Sequence, residues 1–132
     1  MAGALKFTPD ELREKIAMYF SDIDEQNIQA KLFDEKPRPY TVSGLCVFLG
    51  IFRETLLDYG KRPDTAEMVK MAKYKVETCI EEGSLTGRWN VIGSIFNLKN
   101  NFGWVDKFDV RTTVQPEQLN AVEIKRLLQG KD

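Results

Sequence analysis

The run TVSGLCVFLGIFRETLLDYGK, Thr41 to Lys61, decides the fold of this chain. It reads as two short helices meeting at a sharp glycine turn. Leu45, Leu49, Ile51, Leu56 and Tyr59 take the inward positions, and Cys46 is the small residue that lets the second helix approach. Gly50 supplies the left-handed backbone that closes the turn without a Cβ clash. This is the spacing of a helix-turn-helix, which lays one helix across a DNA backbone and offers the next to the major groove. Double-stranded DNA is therefore the first partner to expect.

Working outward, Thr41 caps the first helix of the pair and the second spans about Phe52 to Tyr59. Upstream, Thr8-Pro9-Asp10-Glu11 is a helix start: Thr8 caps, Pro9 suits the first helical position, and Glu11 returns a bond to the cap. Leu12, Ile16, Tyr19, Phe20 and Ile23 follow at helical spacing, and the pattern fades near Asp22. Asp24 to Pro39 reads as an acidic connector with one turn around Ile28, closed by Pro37 and Pro39. Downstream, Pro63-Asp64-Thr65-Ala66-Glu67 opens a long helix with Asp64 as cap. Val69, Ala72, Val76, Cys79 and Ile80 form its buried stripe, and Met68 and Met71 fill the core or face a neighbouring subunit. Gly83 and Gly87 bracket a break. Asn90 caps a further helix in which Ile92, Ile95, Phe96 and Leu98 are expected to be buried. Gly103 then turns the chain, and Trp104 and Phe102 belong to the core. VDKFDVRTTV, 105–114, is rich in β-branched and aromatic residues, so a short strand near 107–114 is expected, one that needs a partner, with another subunit as one source of it. Pro116 starts a last helix to Gln129 with two apolar faces, Ala121, Ile124 and Leu128 on one, Leu119 and Val122 on the other. Such a helix either packs deep in the domain or meets another chain; on the second reading Leu119, Val122, Ile124 and Leu128 are its candidate partner-binding residues.

The fold class is thus mainly α: an N-terminal helix plus helix-turn-helix over 1–62, a central helical region over 63–104, to which the resemblance given below assigns oligomerisation, and a β-rich linker with a C-terminal helix over 105–132. Formal net charge is −1, which gives no global attraction to nucleic acid. Residues 1–36 hold five basic and eight acidic side chains, whereas 37–62 hold four basic and two acidic. Any DNA surface is therefore local, strengthened by repetition in an oligomer. There is no histidine, the commonest general base and metal ligand, and no P-loop, GxSxG or CxxC. No enzymatic activity, cofactor, metal or small-molecule substrate is expected. Cys46 and Cys79 lie among apolar neighbours and read as reduced. Neither a signal peptide nor a membrane span is visible, so a soluble intracellular protein is expected.

PYTVSGLCVFLGI (39–51), the TLxxY that follows, and NVIGSIFNLKNNFGWVDK (90–107) together resemble the small terminase subunit of tailed bacteriophages. The resemblance covers about Pro37 to Lys107, and its second block, Ile95 to Trp104, is the more particular. It implies a homo-oligomeric ring in the host cytoplasm that recognises viral DNA and regulates the ATPase and nuclease of the large terminase subunit. The helix-turn-helix would contact DNA, the following helices would build the ring, and the C-terminal region would meet the large subunit.

The DNA-binding set drawn from this reading is Thr41, Ser43, Arg53, Thr55, Lys61 and Arg62. Arg53 either contacts DNA or pairs with Asp58 or Glu54. Lys61 and Arg62 suit phosphates, or simply the negative end of a helix. Thr55 is a base contact or a small exposed residue. Such motifs usually carry a serine cap at the start of the second helix; Phe52 stands there and cannot cap. Two other readings use the same residues: a dimeric transcriptional regulator, and an assembly protein whose helix-turn-helix serves only oligomerisation.

Overall fold

The computed structural model describes residues 6–106 together with positions 125 and 128. It is mainly α, with five helices over 9–102: α1 (Pro9–Leu32), α2 (Val42–Leu49), α3 (Arg53–Lys61), α4 (Ala66–Thr86) and α5 (Val91–Phe102). Each helix packs chiefly on its neighbours in sequence, α1 on α2, α2 on α3, α3 on α4 and α4 on α5. No strand lies among the described residues; the strand expected over 107–114 falls outside them. So does most of the C-terminal helix, although positions 125 and 128 are helical.

The start of α1 is the capping box expected from its sequence. Thr8 Oγ1 accepts from the Glu11 amide at 3.2 Å, and the Thr8 amide donates to Glu11 Oε1 at 2.9 Å. Leu12, Ile16, Tyr19, Phe20 and Ile23 are buried on one stripe. The helix does not fade near Asp22, however, and no acidic connector begins at Asp24. It runs ten residues further, because Glu25, Gln26, Gln29, Ala30 and Lys31 are good helix formers. Gln26 also donates to Asp22 one turn back, at 2.8 Å. Ile28 and Leu32 are exposed there, so no apolar stripe marks the extension. Residues 34–41 fold back along it. Asn27 grips Arg38 through both main-chain groups, accepting from its amide at 2.7 Å and donating to its carbonyl at 2.8 Å. Tyr40 donates to Asp24 and packs edge-on against Phe20, with Lys75 of α4 lying 4.6 Å over the Phe20 ring.

Thr41 caps α2, its Oγ1 accepting from the Gly44 amide at 2.8 Å. The Tyr19 hydroxyl accepts from the Thr41 amide at 3.0 Å, and a Cβ on Gly44 would sit 2.6 Å from that oxygen. α2 ends at Gly50 in the left-handed region, φ 71°, as the turn requires. Lys6 Nζ donates to the Leu49 and Gly50 carbonyls, each at 3.3 Å, placing a cation at the negative end of the helix. Gly50→Ala is expected to lower stability by about 1 kcal/mol, since a Cβ is disfavoured in left-handed backbone. That Cβ would also crowd Lys6 Nζ at 2.8 Å. Urea unfolding with an unchanged slope against denaturant would measure it; a variant as stable as the parent would remove the requirement for glycine.

Asp64 does not cap α4. Thr65 stands at the N-cap with its hydroxyl turned inward to donate to the Tyr59 carbonyl, and Asp64 pairs with Arg62 at 3.5 Å. The inward bond of buried Thr65 displaces the cap expected at Asp64. Val69, Ala72, Val76 and Ile80 are buried as the stripe predicts, while Cys79 and Met68 are half-buried and Met71 is exposed. Gly83 does not break the helix; it is a buried helical residue, and the break is at Gly87 alone, φ 77°. Both cysteines are free.

α5 departs most from expectation. Asn90 caps it, its Oδ1 accepting from the Gly93 amide at 2.7 Å, and Gly103 ends it at φ 72°. Leu98 and Ser94 are buried, but Ile92, Ile95 and Phe96 are exposed, as is Val91. The twelve-residue helix has α4 against one side, and no other described helix covers the apolar residues on the rest of its surface. Trp104 is not a core residue. It is 38% exposed, and its indole N–H donates to Glu77 of α4 at 2.6 Å; Phe102 is half-buried against the core.

Candidate functional site

The α2–α3 pair owes its rigidity to the side chains between its helices. Leu45, Cys46, Leu49, Leu56 and Tyr59 are buried together, and Ile51 packs against them from the turn. Three residues, Gly50 to Phe52, join the helices. The Tyr59 hydroxyl accepts from the Phe7 amide at 2.6 Å, so the segment before α1 is fastened to the far end of α3. α3 begins at Phe52 with no side-chain cap, as the residue type requires. Phe52 is 78% exposed, and Glu54, Leu57 and Asp58 share the outer surface with Arg53 and Lys61.

The six candidate residues divide by what already occupies them. Thr41 spends its hydroxyl on the α2 cap. Thr55 is half-buried. Ser43 and Arg53 are brought together, with Arg53 Nη2 donating to Ser43 Oγ at 2.8 Å. Lys61 and Arg62 stand at the other end of α3, about 12 Å along the axis from Arg53 by helix rise. Arg62 carries the exposed ion pair with Asp64. Arg53 forms no ion pair with Asp58 or Glu54; its second partner is Asn101 Oδ1 of α5, at 3.1 Å. Asn101 lies forty-eight residues away and belongs to no local pattern around Arg53. Of the candidate partner-binding residues, Leu119, Val122 and Ile124 lie outside the described residues, and Leu128 is 82% exposed.

Two cations lie near the apolar interior of the pair and act on its buried cysteine. Burial pushes the Cys46 thiol up, and the nearby charges of Arg53 and Lys73 act against that rise. Lys73 of α4 therefore sits close enough to the pair to be felt, a neighbour that only the folding of α4 onto α3 reveals. Burial also pushes the Tyr40 phenol well up, with the Asp24 carboxylate adding to it. Cys46 is consequently a protonated packing residue and no poised nucleophile. Among the described residues there is no cluster of three metal-ligating side chains, and no helix is long and apolar enough to cross a membrane.

Comparison with known proteins gives one finding. A family model described as DNA-packaging protein gp3 matches residues 4–110, which takes in all five helices and both halves of the Arg53–Asn101 contact. Neither the curated proteins nor the solved structures yield a match. The matched segment is most of the chain, and the chain belongs to the DNA-packaging protein gp3 family.

Proposed function

We propose that this packaging protein is a phage small terminase subunit, a non-enzymatic ring that binds double-stranded viral DNA and regulates the large terminase subunit. The family match over 4–110 carries the proposal. The α2–α3 pair supports its DNA-binding part: two short helices, a three-residue turn with left-handed Gly50, and an exposed Arg53 in the first turn of the second helix. In a helix-turn-helix the N-terminal residues of the second helix are the ones that reach the groove. Arginine there suits either phosphate or a guanine edge. Lys61 and Arg62 would contact phosphates from the other end of α3.

A net charge of −1 makes a single protomer a weak DNA binder, so the reading needs repetition. Linking many weak sites in one particle raises the combined affinity well above that of any one. The uncovered face of α5, Val91, Ile92, Ile95 and Phe96, supplies the surface through which copies would join. The C-terminal segment is left to meet the large subunit, in the cytoplasm of the host.

One observation favours the assembly-only reading of α3: Phe52 and Leu57 are exposed, and Glu54 and Asp58 repel phosphate. The triple substitution Arg53→Ala, Lys61→Ala, Arg62→Ala separates the two. If all three touch phosphate, the slope of log affinity against log salt becomes shallower by about 2.7, at roughly 0.9 per contact. Fluorescence anisotropy with a labelled duplex across a salt series reads this directly. An unchanged slope and affinity would assign α3 to assembly.

A further inference from the structure

Arg53 is gripped from two sides by groups that bear no charge. Ser43, in the first turn of α2, accepts from Nη2 at 2.8 Å, and Asn101, in the last turn of α5, accepts from Nη1 at 3.1 Å. Three helices thus converge on one exposed cation. Arg62 is the contrast within the same site, because its partner Asp64 is a carboxylate that offsets the charge it holds. A guanidinium has five N–H donors. The two bonds to Ser43 and Asn101 leave three of them, and leave the full positive charge, for an incoming anion.

We propose that Asn101 and Ser43 are positioning residues that fix the Arg53 guanidinium, undiminished in charge, in the orientation that meets a phosphate of duplex DNA. The inference rests on the reading of α3 as a DNA contact and deepens it. A long side chain at the start of a helix otherwise samples several rotamers, and binding must freeze them out. Neutral acceptors remove that penalty without the charge loss that a carboxylate would bring. Because Asn101 belongs to α5, the orientation of the cation also depends on where α5 lies against α4, which ties the DNA face to the helix whose outer side is apolar.

The experiment measures affinity for a mixed-sequence 30-base-pair duplex, over a salt series, for Asn101→Ala, Asn101→Asp, Arg53→Ala and the double variant Arg53→Ala/Asn101→Ala, with circular dichroism to establish folding. Asn101→Ala should weaken binding about threefold to tenfold, the penalty of one unfrozen side chain. Its salt slope should stay unchanged, because no charge is lost. Asn101→Asp keeps an acceptor but adds a carboxylate, so its slope should also become shallower by about 0.9. On top of Arg53→Ala, Asn101→Ala should do nothing more. Weakening by Asn101→Ala that persists in the Arg53→Ala background would overturn the positioning role, and so would unchanged or tighter binding by Asn101→Ala alone. Arg53→Ala leaving both affinity and slope intact would overturn the DNA reading of Arg53 and this inference together.

Discussion

If copies join through α5 as proposed, Ile92→Asp combined with Phe96→Asp is expected to leave the protomer folded and abolish that assembly. Both side chains are outside the core, Ile92 81% and Phe96 71% exposed, and neither belongs to the buried cluster or to the half-buried residues packed on it. Substitutions at such positions usually change stability by less than about 0.5 kcal/mol. Association is a different matter. Burying a large aliphatic or aromatic side chain contributes about 1.5–3 kcal/mol, so removing two from each interface weakens it by about 3–6 kcal/mol. That corresponds to at least a hundredfold loss per contact. The aspartates add a desolvation cost, because each would enter the interface as an unpaired charge. Native mass spectrometry and sedimentation velocity would report the outcome: parent protein as a closed oligomer, double variant as a monomer that keeps its helical circular dichroism and melts somewhat lower because the interface no longer supports the folded state. Assembly that survives the substitution would overturn the proposed interface at α5.

The second large effect is Gly83→Ala, whose sign is opposite to what helix propensity alone predicts. Alanine inside a helix is favoured over glycine by about 1 kcal/mol. At this position a Cβ would lie 1.7 Å from Trp89 Cδ1 and 1.9 Å from its Nε1, well inside contact distance. The indole must leave the face of α4, losing its packing and the bond from Nε1 to the Cys79 carbonyl at 3.0 Å. Expelling a half-buried tryptophan and breaking one hydrogen bond costs about 3–4 kcal/mol. The net expectation is a loss of about 2–3 kcal/mol, measured by thermal or urea unfolding. The mechanism has its own control. In a Trp89→Ala background the clash is absent, and Gly83→Ala should become stabilising by about 0.5–1 kcal/mol. Destabilisation of equal size in both backgrounds would mean that the helix, and not the indole, requires glycine.

Much of this fold is legible in the sequence because its signals are local. The caps at Thr8, Thr41 and Asn90, the left-handed glycines at 50, 87 and 103, and the apolar stripe of α4 stand where short-range rules put them. Where the fold departs from these signals, packing outside the local pattern overrides it, or the pattern carries no information about packing. Asp64 is not the cap of α4: Thr65 stands at the N-cap position with its hydroxyl bonded to the Tyr59 carbonyl, and Asp64 pairs with Arg62. The second half of α1 is helical yet nearly devoid of an apolar stripe, so periodicity had little to report there. Helical spacing in α5 marked Ile92, Ile95 and Phe96 as apolar but not what would cover them. At the candidate site the arginine was visible from its place after Gly50. Asn101, its partner across forty-eight residues, emerges only when α5 has folded against α4.

The two tryptophans of this chain stand immediately before and shortly after α5, and both indole N–H groups donate to α4, Trp89 to the Cys79 carbonyl and Trp104 to Glu77. Ultraviolet emission excited selectively at tryptophan therefore originates at the α4–α5 joint and nowhere else in the molecule. The protein carries a label-free optical gauge at the two ends of one helix. Excitation at the red edge would follow that joint during assembly, with Trp89→Phe and Trp104→Phe variants resolving the two ends.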